Sequence, residues 1–206
     1  MPLRNRVTPF GEIIAAAARG TLMGNRGCLH QDDGQIVRPW ATRRWIACQL
    51  AFKGRQRQLM QPRHYTELFF LDEATALANG HRPCAECRRA EFLRFRDAWG
   101  RGNDLDPETL GVDEIDRRLH ADRVDGHAQR RFNASPATLP DGTLVADGPE
   151  AFLIKGGNLL SWSPGGYGDP LPIRSGRTVT VLTPASILRA IVAGYVPALH
   201  YSAWVV

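Results

Sequence analysis

The sequence predicts an α+β protein: a small N-terminal sheet with helices, then a helical segment, then a small antiparallel β-sheet or partial barrel. Three observations lead there. Residues 21–30, 44–52 and 65–71 carry apolar residues with the character of strands. Helical stripes follow, first Phe92, Phe95 and Trp99 and then Val112, Ile115 and Leu119, at spacings of three and four. From Asn133 onward, glycine- and proline-rich turns separate short apolar runs at residues 144–145, 151–154, 159–162 and 179–182.

In chain order, residues 10–19 read as a short helix carrying Ile13, Ile14 and Ala17 and closed by Gly20. The strand over 21–30 ends in the glycine-rich Gly24-Asn25-Arg26-Gly27, and Asp32-Asp33-Gly34 signals a turn. Residues 44–52 alternate Trp45, Ala47, Gln49 and Ala51 against Ile46, Cys48, Leu50 and Phe52. Residues 53–64 are basic without an apolar period and predict a loop, and 65–71 give the third strand. Asp72 is an expected N-cap for a helix over 74–78, which Asn79-Gly80 stops with a left-handed turn. His81-Arg82-Pro83-Cys84-Ala85-Glu86-Cys87 makes a tight turn into a helix over 88–99. The polar stretch 100–108 divides the chain into residues 1–103 and 104–206, two parts that can still pack as one unit. A helical region then leads into a segment dense in arginine and histidine, with His120 and His127 nearly two turns apart. Thr183-Pro184 starts a last helix through Ala193, ended by Gly194. Ser161-Trp162-Ser163-Pro164-Gly165-Gly166-Tyr167-Gly168 reads as a hairpin connection or as a substrate-facing loop.

At 206 residues, 43% hydrophobic and 23% charged, the chain has the composition of a soluble globular protein. It shows no apolar run of membrane-spanning length and no secretory leader, so the expected setting is the cytoplasm, with no membrane partner. There, four cysteines are metal ligands or reduced thiols rather than disulfides. The net charge of +5 is concentrated at one end: residues 1–70 hold 11 Lys/Arg against 4 Asp/Glu. Of the cations only Lys53 and Lys155 are lysines, and arginine's planar fork suits phosphates and stacks on bases. Codon bias explains an arginine excess equally well, but not its concentration in one third of the chain.

Cys84-x-x-Cys87, in a turn entering a helix, is the spacing of a metal knuckle, in which two thiolates chelate one ion and backbone amides bond the sulfurs. Pro83 precedes the pair instead of lying inside it, which disfavours a thioredoxin-like redox unit. Cys28 and Cys48 complete a four-thiolate site by inventory, with His30 and His81 as substitutes; the alternative is that both are small buried hydrophobes.

Tyr65-Thr66-Glu67-Leu68-Phe69-Phe70-Leu71-Asp72-Glu73-Ala74, followed by Ala78-Asn79-Gly80-His81-Arg82-Pro83-Cys84-Ala85-Glu86-Cys87-Arg88, resembles the second half of the zinc domain of the Ada DNA-repair protein. The same pattern is similar to small Ada-like zinc modules appended to some nucleases, and Met23-Gly24-Asn25 through His30 is similar to the first strand of that version. The close match covers about 25 residues and a looser one about 80 of the 206. It implies an Ada-like zinc module over residues 1–103, Zn2+ as the ion, Cys84 and Cys87 as ligands, and a link to DNA repair. The family's first two ligands lie four positions apart in one loop, whereas Cys28 and Cys48 are 20 apart. They therefore do not carry over, and neither does the methyl-accepting role of that pair. The resemblance thus implies zinc as a brace.

The expected nucleic-acid contacts, DNA before RNA, are Arg38, Arg43, Arg44, Lys53, Arg55, Arg57, Arg82, Arg88 and Arg89, with Trp40 and Trp45 interleaved among the first of them. An alternative is an enzyme acting on damaged or modified nucleic acid, hydrolase- or glycosylase-like, with Glu67, His120 and His127 as weak catalytic candidates between the two halves. Glu67 and Glu73 can act as acid or base only beside metal-bound water, and a four-thiolate zinc leaves no place for it. A third reading is a zinc-stabilised scaffold for a protein partner.

Overall fold

The computed structural model describes residues 1–54 and 58–204. The helix expected over residues 10–19 does not form. Instead β1 (Arg4–Val7) and β2 (Ile13–Ala15) make an antiparallel hairpin. Its turn is closed by Thr8 N donating to Glu12 O at 2.9 Å, and Gly11 sits at φ 87°, a region open to glycine without strain. The β-branched pair Ile13 and Ile14 then favours extended chain.

The three expected strands form, each shorter than its sequence signal: β3 (Leu22–Asn25), β4 (Ile46–Cys48) and β5 (Leu68–Phe70). Asp72 caps α1 (Glu73–Ala78), its carboxylate accepting the Thr75 N–H at 2.9 Å. Gly80 ends the turn after it at φ 73°, and a Cβ there would lie 2.4 Å from Arg123 Cδ. β6 (Arg82–Pro83) completes a six-stranded sheet in the order β2-β1-β5-β3-β4-β6, with β1/β5 and β4/β6 parallel and the other pairs antiparallel. Pro83 is tolerated because β6 is an edge strand.

α2 (Arg89–Gly102) runs past the expected stop at Trp99, and Asn103 Nδ2 donates to the Trp99 carbonyl at 2.8 Å. α3 (Val112–Arg123) is shorter than the basic segment suggested. Residues after it form the hairpin β7 (Val124–Asp125) and β8 (Ala128–Gln129), so His120 and His127 sit on different elements. The second sheet contains β9 (Phe132–Ala134), β10 (Leu144–Asp147), β11 (Glu150–Lys155), β12 (Asn158–Ser163), β13 (Gly166–Pro172) and β14 (Val179–Val181). It is antiparallel throughout, in the order β13-β12-β11-β10-β14-β9. β13 has no clean strand signal because of Pro170 and Pro172, yet at the sheet edge a missing N–H removes no interior ladder bond. α4 (Ala185–Val192) follows Pro184 as expected, and its first turn donates from Ser186 N to Asp122 Oδ2 at 2.8 Å.

The stretch 100–108, read from sequence as a boundary, is bridged by two shared cores. In one, Phe92, Phe95 and Trp99 of α2 and Ile115 and Leu119 of α3 pack with Ile187, Ala190 and Ile191 of α4. In the other, Leu71, Ala74 and Ala78 meet Leu144, Leu153, Leu160 and Tyr167 of the second sheet. The hairpin residues Trp162 and Tyr167 serve this junction: Trp162 Nε1 donates to Thr75 Oγ1 at 3.1 Å and Tyr167 Oη to Asp72 Oδ2 at 2.8 Å. One face of the first sheet buries Val7, Ala47, Leu68 and Phe70 with Ala76 of α1. Its other face carries the candidate site.

Candidate metal centre

Cys48 and Cys84 meet because β4 and β6 are parallel with Ala47 beside Pro83, which puts the next residue of each chain side by side. Cys84 N donates to Ala47 O at 2.9 Å and fixes that register. The turn after Cys84, in which Arg88 N bonds Cys84 O at 3.1 Å, brings Cys87 back toward the same point. The result is three sulfurs, Cys48, Cys84 and Cys87, all within 4.8 Å of one another. The backbone N–H groups of Cys87 and Glu86 point at the Cys84 sulfur, and that of Gln49 at the Cys87 sulfur. This is the knuckle arrangement expected from the Cys84-x-x-Cys87 spacing.

Without a cation the three thiols compete for one negative charge. The hydrogen bond from Cys48, opposed by burial and helped by the two backbone amides, brings Cys84 down to about 5. Cys48 is pushed up by that same hydrogen bond, by burial and by the charges of its two neighbours. Burial first, and then the charge of Cys84, raises Cys87. A thiophilic divalent ion removes this conflict, because it favours the thiolate at all three positions. The donor set therefore fits a metal ion.

Two parts of the sequence expectation are corrected here. Cys28 does not join the group: after β3 ends at Asn25 the chain turns through Gly27, and the Cys28 sulfur faces the His30 carbonyl at 3.5 Å. Nor do the substitutes reach it. His30 engages Thr66 Oγ1 at 2.6 Å and the Gln61 carbonyl at 3.2 Å. His81 is wholly buried between Phe70 and Trp45, and burial, then the charges of Arg26 and Arg123, drives its pKa well down and keeps it neutral. Among the described residues no fourth Cys, His, Asp or Glu donor completes the cluster.

The open side of the trio faces a cavity of about 300 Å³. Met23 pairs with Cys48 across β3–β4 and with Phe69 across β3–β5, so these three side chains share the sheet face that forms its floor. Leu50, Phe52, Leu59 and Tyr65 of the following loop line one side, and Asn25, Ile46, Gln49 and Glu86 contribute to the rim. Glu67 reaches the same cavity from the strand side, 4% exposed, with Oε2 accepting the Met60 N–H at 2.8 Å. Glu73 is elsewhere and fully engaged, by Arg88 at 2.8 Å, by Tyr195 Oη at 2.7 Å and by Ala198 N at 2.9 Å.

The expected nucleic-acid residues divide sharply. Arg82 is 2% exposed and grips Asp116 with Nε and Nη2, at 2.8 and 2.7 Å, while Arg88 is buried against Glu73. Both are structural ion pairs, because α1, α2 and α3 close over them, and neither can meet a phosphate backbone. Arg38, Arg43, Lys53 and Arg89 are exposed. Arg44 is also exposed but is held by Asp113 at 3.3 Å and Asp116 at 3.8 Å. Arg55 and Arg57 lie outside the described residues. His120 and His127 do not form a pair of their own; both rings stand against Trp40, at 4.7 and 6.3 Å. Burial, then Arg123 and Arg43, lowers His120 to about 4, and its Nδ1 faces Arg123 Nη2 at 3.0 Å.

No family model matches this chain, and no curated protein or solved structure is found similar to it. The likeness to the Ada zinc domain therefore rests on the quoted residues alone. Among the described residues no helix is long and apolar enough to cross a membrane.

Proposed function

We propose that this chain is a zinc-containing protein that binds nucleic acid, DNA in the first instance, in the service of repair or processing. Cys48, Cys84 and Cys87 hold the zinc, and the exposed cations Arg38, Arg43, Lys53 and Arg89 contact phosphate. The observation that carries the reading is the trio of sulfurs within 4.8 Å. Soft thiolates at a tetrahedral knuckle favour zinc over magnesium or calcium, which take oxygen ligands.

The enzymatic alternative is favoured by one specific observation, that three thiols rather than four line the cavity. A zinc ion with three protein ligands supplies a Lewis-acidic position for water or substrate. Around it, Leu50, Phe52, Leu59 and Tyr65 form an apolar, partly exposed rim, and of the two lining carboxylates, Glu67 and Glu86, the buried Glu67 is the one to hold or move a proton. The reading as a protein-interaction scaffold has no comparable support.

Elemental analysis of freshly purified protein tests the metal: one equivalent of zinc is expected, retained in Cys28→Ser and lost in Cys48→Ser, Cys84→Ser and Cys87→Ser. Less than about half an equivalent in the unaltered protein, or retention in all four variants, refutes it. A salt titration of duplex DNA binding tests the partner. Four phosphate contacts predict a slope of log K against log salt of about −3.6, and no binding at low salt rejects the reading. Turnover of an alkylated or abasic oligonucleotide, lost in Glu67→Gln with zinc content intact, separates enzyme from binding protein.

A further inference from the structure

A second site lies on the other side of Trp45, where a cleft of about 390 Å³ opens between the β1–β2 turn, the loop bearing Trp40, and the β7–β8 hairpin. It shares no lining residue with the thiol cavity. Its wall contains Arg26, 3% exposed, whose Nε and Nη2 are shielded from solvent and have no hydrogen-bond partner among the described residues. Those two atoms form the same guanidinium edge with which Arg82 grips Asp116. Arg26 therefore presents a bidentate fork with nothing in it.

The surrounding charge is unbalanced in the same sense. Arg26, Arg82 and Arg123 are all buried, Arg26 and Arg82 both bear on the charge of Arg123, and the carboxylate near Arg123, Asp116, is taken by Arg82. Among the described residues Arg123 Nη1 and Nη2 meet only neutral groups, the Gly80 and Arg43 carbonyls and His120 Nδ1, and its Nε has no partner. Arg26 and Arg123 both lie over the Trp45 ring, at 4.8 and 3.9 Å, which offsets part of the burial cost but supplies no negative charge. Burial lowers Arg26 only to about 10, so it stays charged at neutral pH. An uncompensated buried cation is unfavourable unless an anion completes it.

The lining indicates which anion. Trp40 Nε1 is a further buried donor without a partner among the described residues, and Arg131 and His127 stand at the mouth. Glu12 is the one carboxylate in the lining, and it is exposed at the rim. Phe10, Trp40 and Trp45 add flat apolar surface, and the volume falls in the range of small-molecule sites, about 300–1,000 Å³. We propose that this cleft binds a nucleotide, with its phosphate on the Arg26 fork and Trp40 Nε1 and its base against the aromatic wall. The choice of a nucleotide over another phosphate ester rests on the nucleic-acid reading above; the anion site itself does not. Both fork atoms are shielded from solvent, so entry requires the wall of the cleft to open around Arg26.

Calorimetry and thermal unfolding of the zinc-loaded protein with adenosine monophosphate, adenosine and inorganic phosphate test this. The monophosphate is expected to bind and raise Tm, adenosine to bind at least tenfold more weakly, and phosphate to compete weakly. Arg26→Lys, which keeps the charge and loses the fork, should weaken the monophosphate at least tenfold. Arg26→Met should abolish its effect on Tm while raising Tm in its absence, a signature that a merely structural arginine would not give. Trp40→Phe, on the half-buried loop, serves if the Arg26 variants do not fold, and should weaken binding several-fold. Unchanged affinity in Arg26→Lys and Trp40→Phe, or equal affinity for adenosine or inorganic phosphate, overturns the proposal. Duplex DNA binding with no mononucleotide binding overturns this site and leaves the surface reading standing.

Discussion

Replacing Asp116 by asparagine tests the account of the buried interior most directly. Asp116 is the carboxylate that meets Arg82, 2% exposed, through two hydrogen bonds at 2.8 and 2.7 Å, and it also stands 3.8 Å from Arg44 Nε. The substitution keeps side-chain volume and removes one negative charge. It leaves Arg82 charged and buried with neutral acceptors alone, the asparagine amide oxygen and the Pro83 carbonyl at 3.0 Å, and turns an amide N–H2 toward the guanidinium, in a region that already holds Arg26 and Arg123. Breaking one partner of a buried pair costs about 3–5 kcal/mol. The charged neighbours here place Asp116→Asn at the upper end of that range. Urea unfolding of the variant at pH 7 measures it as a fall in midpoint at unchanged slope. The paired replacement Arg82→Met with Asp116→Leu removes both charges and should recover most of the loss. A penalty below about 1 kcal/mol for Asp116→Asn, or a double variant no better than the single, would refute the claim that unpaired positive charge governs this interior.

Other consequences follow from single contacts. Gly80→Ala should destabilise by about 1–3 kcal/mol, because φ 73° is strained for alanine and its Cβ would lie 2.4 Å from Arg123 Cδ; a neutral effect in urea unfolding counts against the reading. Tyr167→Phe removes the hydrogen bond to Asp72 at 2.8 Å and should cost about 1.5–3 kcal/mol, with α1 losing amide-exchange protection first. His120 is held neutral in the fold, its pKa lowered from 6.5 to about 4. The unfolded chain binds the proton more readily in that interval, so stability falls as pH drops from 6.5 toward about 4 and the His120 contribution then levels off. His120→Gln should flatten that part of the pH–stability curve, and an unchanged curve would show that His120 is not its source.

The local features of this protein are written in adjacent residues. Asp72 and Gly80 bound α1, the α2 stripe of Phe92, Phe95 and Trp99 faces the core, and Cys84 and Cys87 form a knuckle, each fixed by interactions a few residues long. The alanine run after Ile14 favours a helix locally, and the pairing of β2 with β1, which in turn pairs with β5, overrides that preference. Membership of the metal cluster was a tertiary matter. Cys28 and Cys48 are equivalent as residue types, and only the parallel register of β4 with β6 brings Cys48 to the knuckle while the turn at Gly27 sends Cys28 away. The same holds for the arginines: composition marks all of them as cations, but burial and the single carboxylate of Asp116 make Arg82 a structural pair and leave Arg26 with an open fork. Residue chemistry is carried by the sequence; which charges and thiols become neighbours depends on contacts between segments far apart in the chain, and those exist only once the sheets and helices have packed.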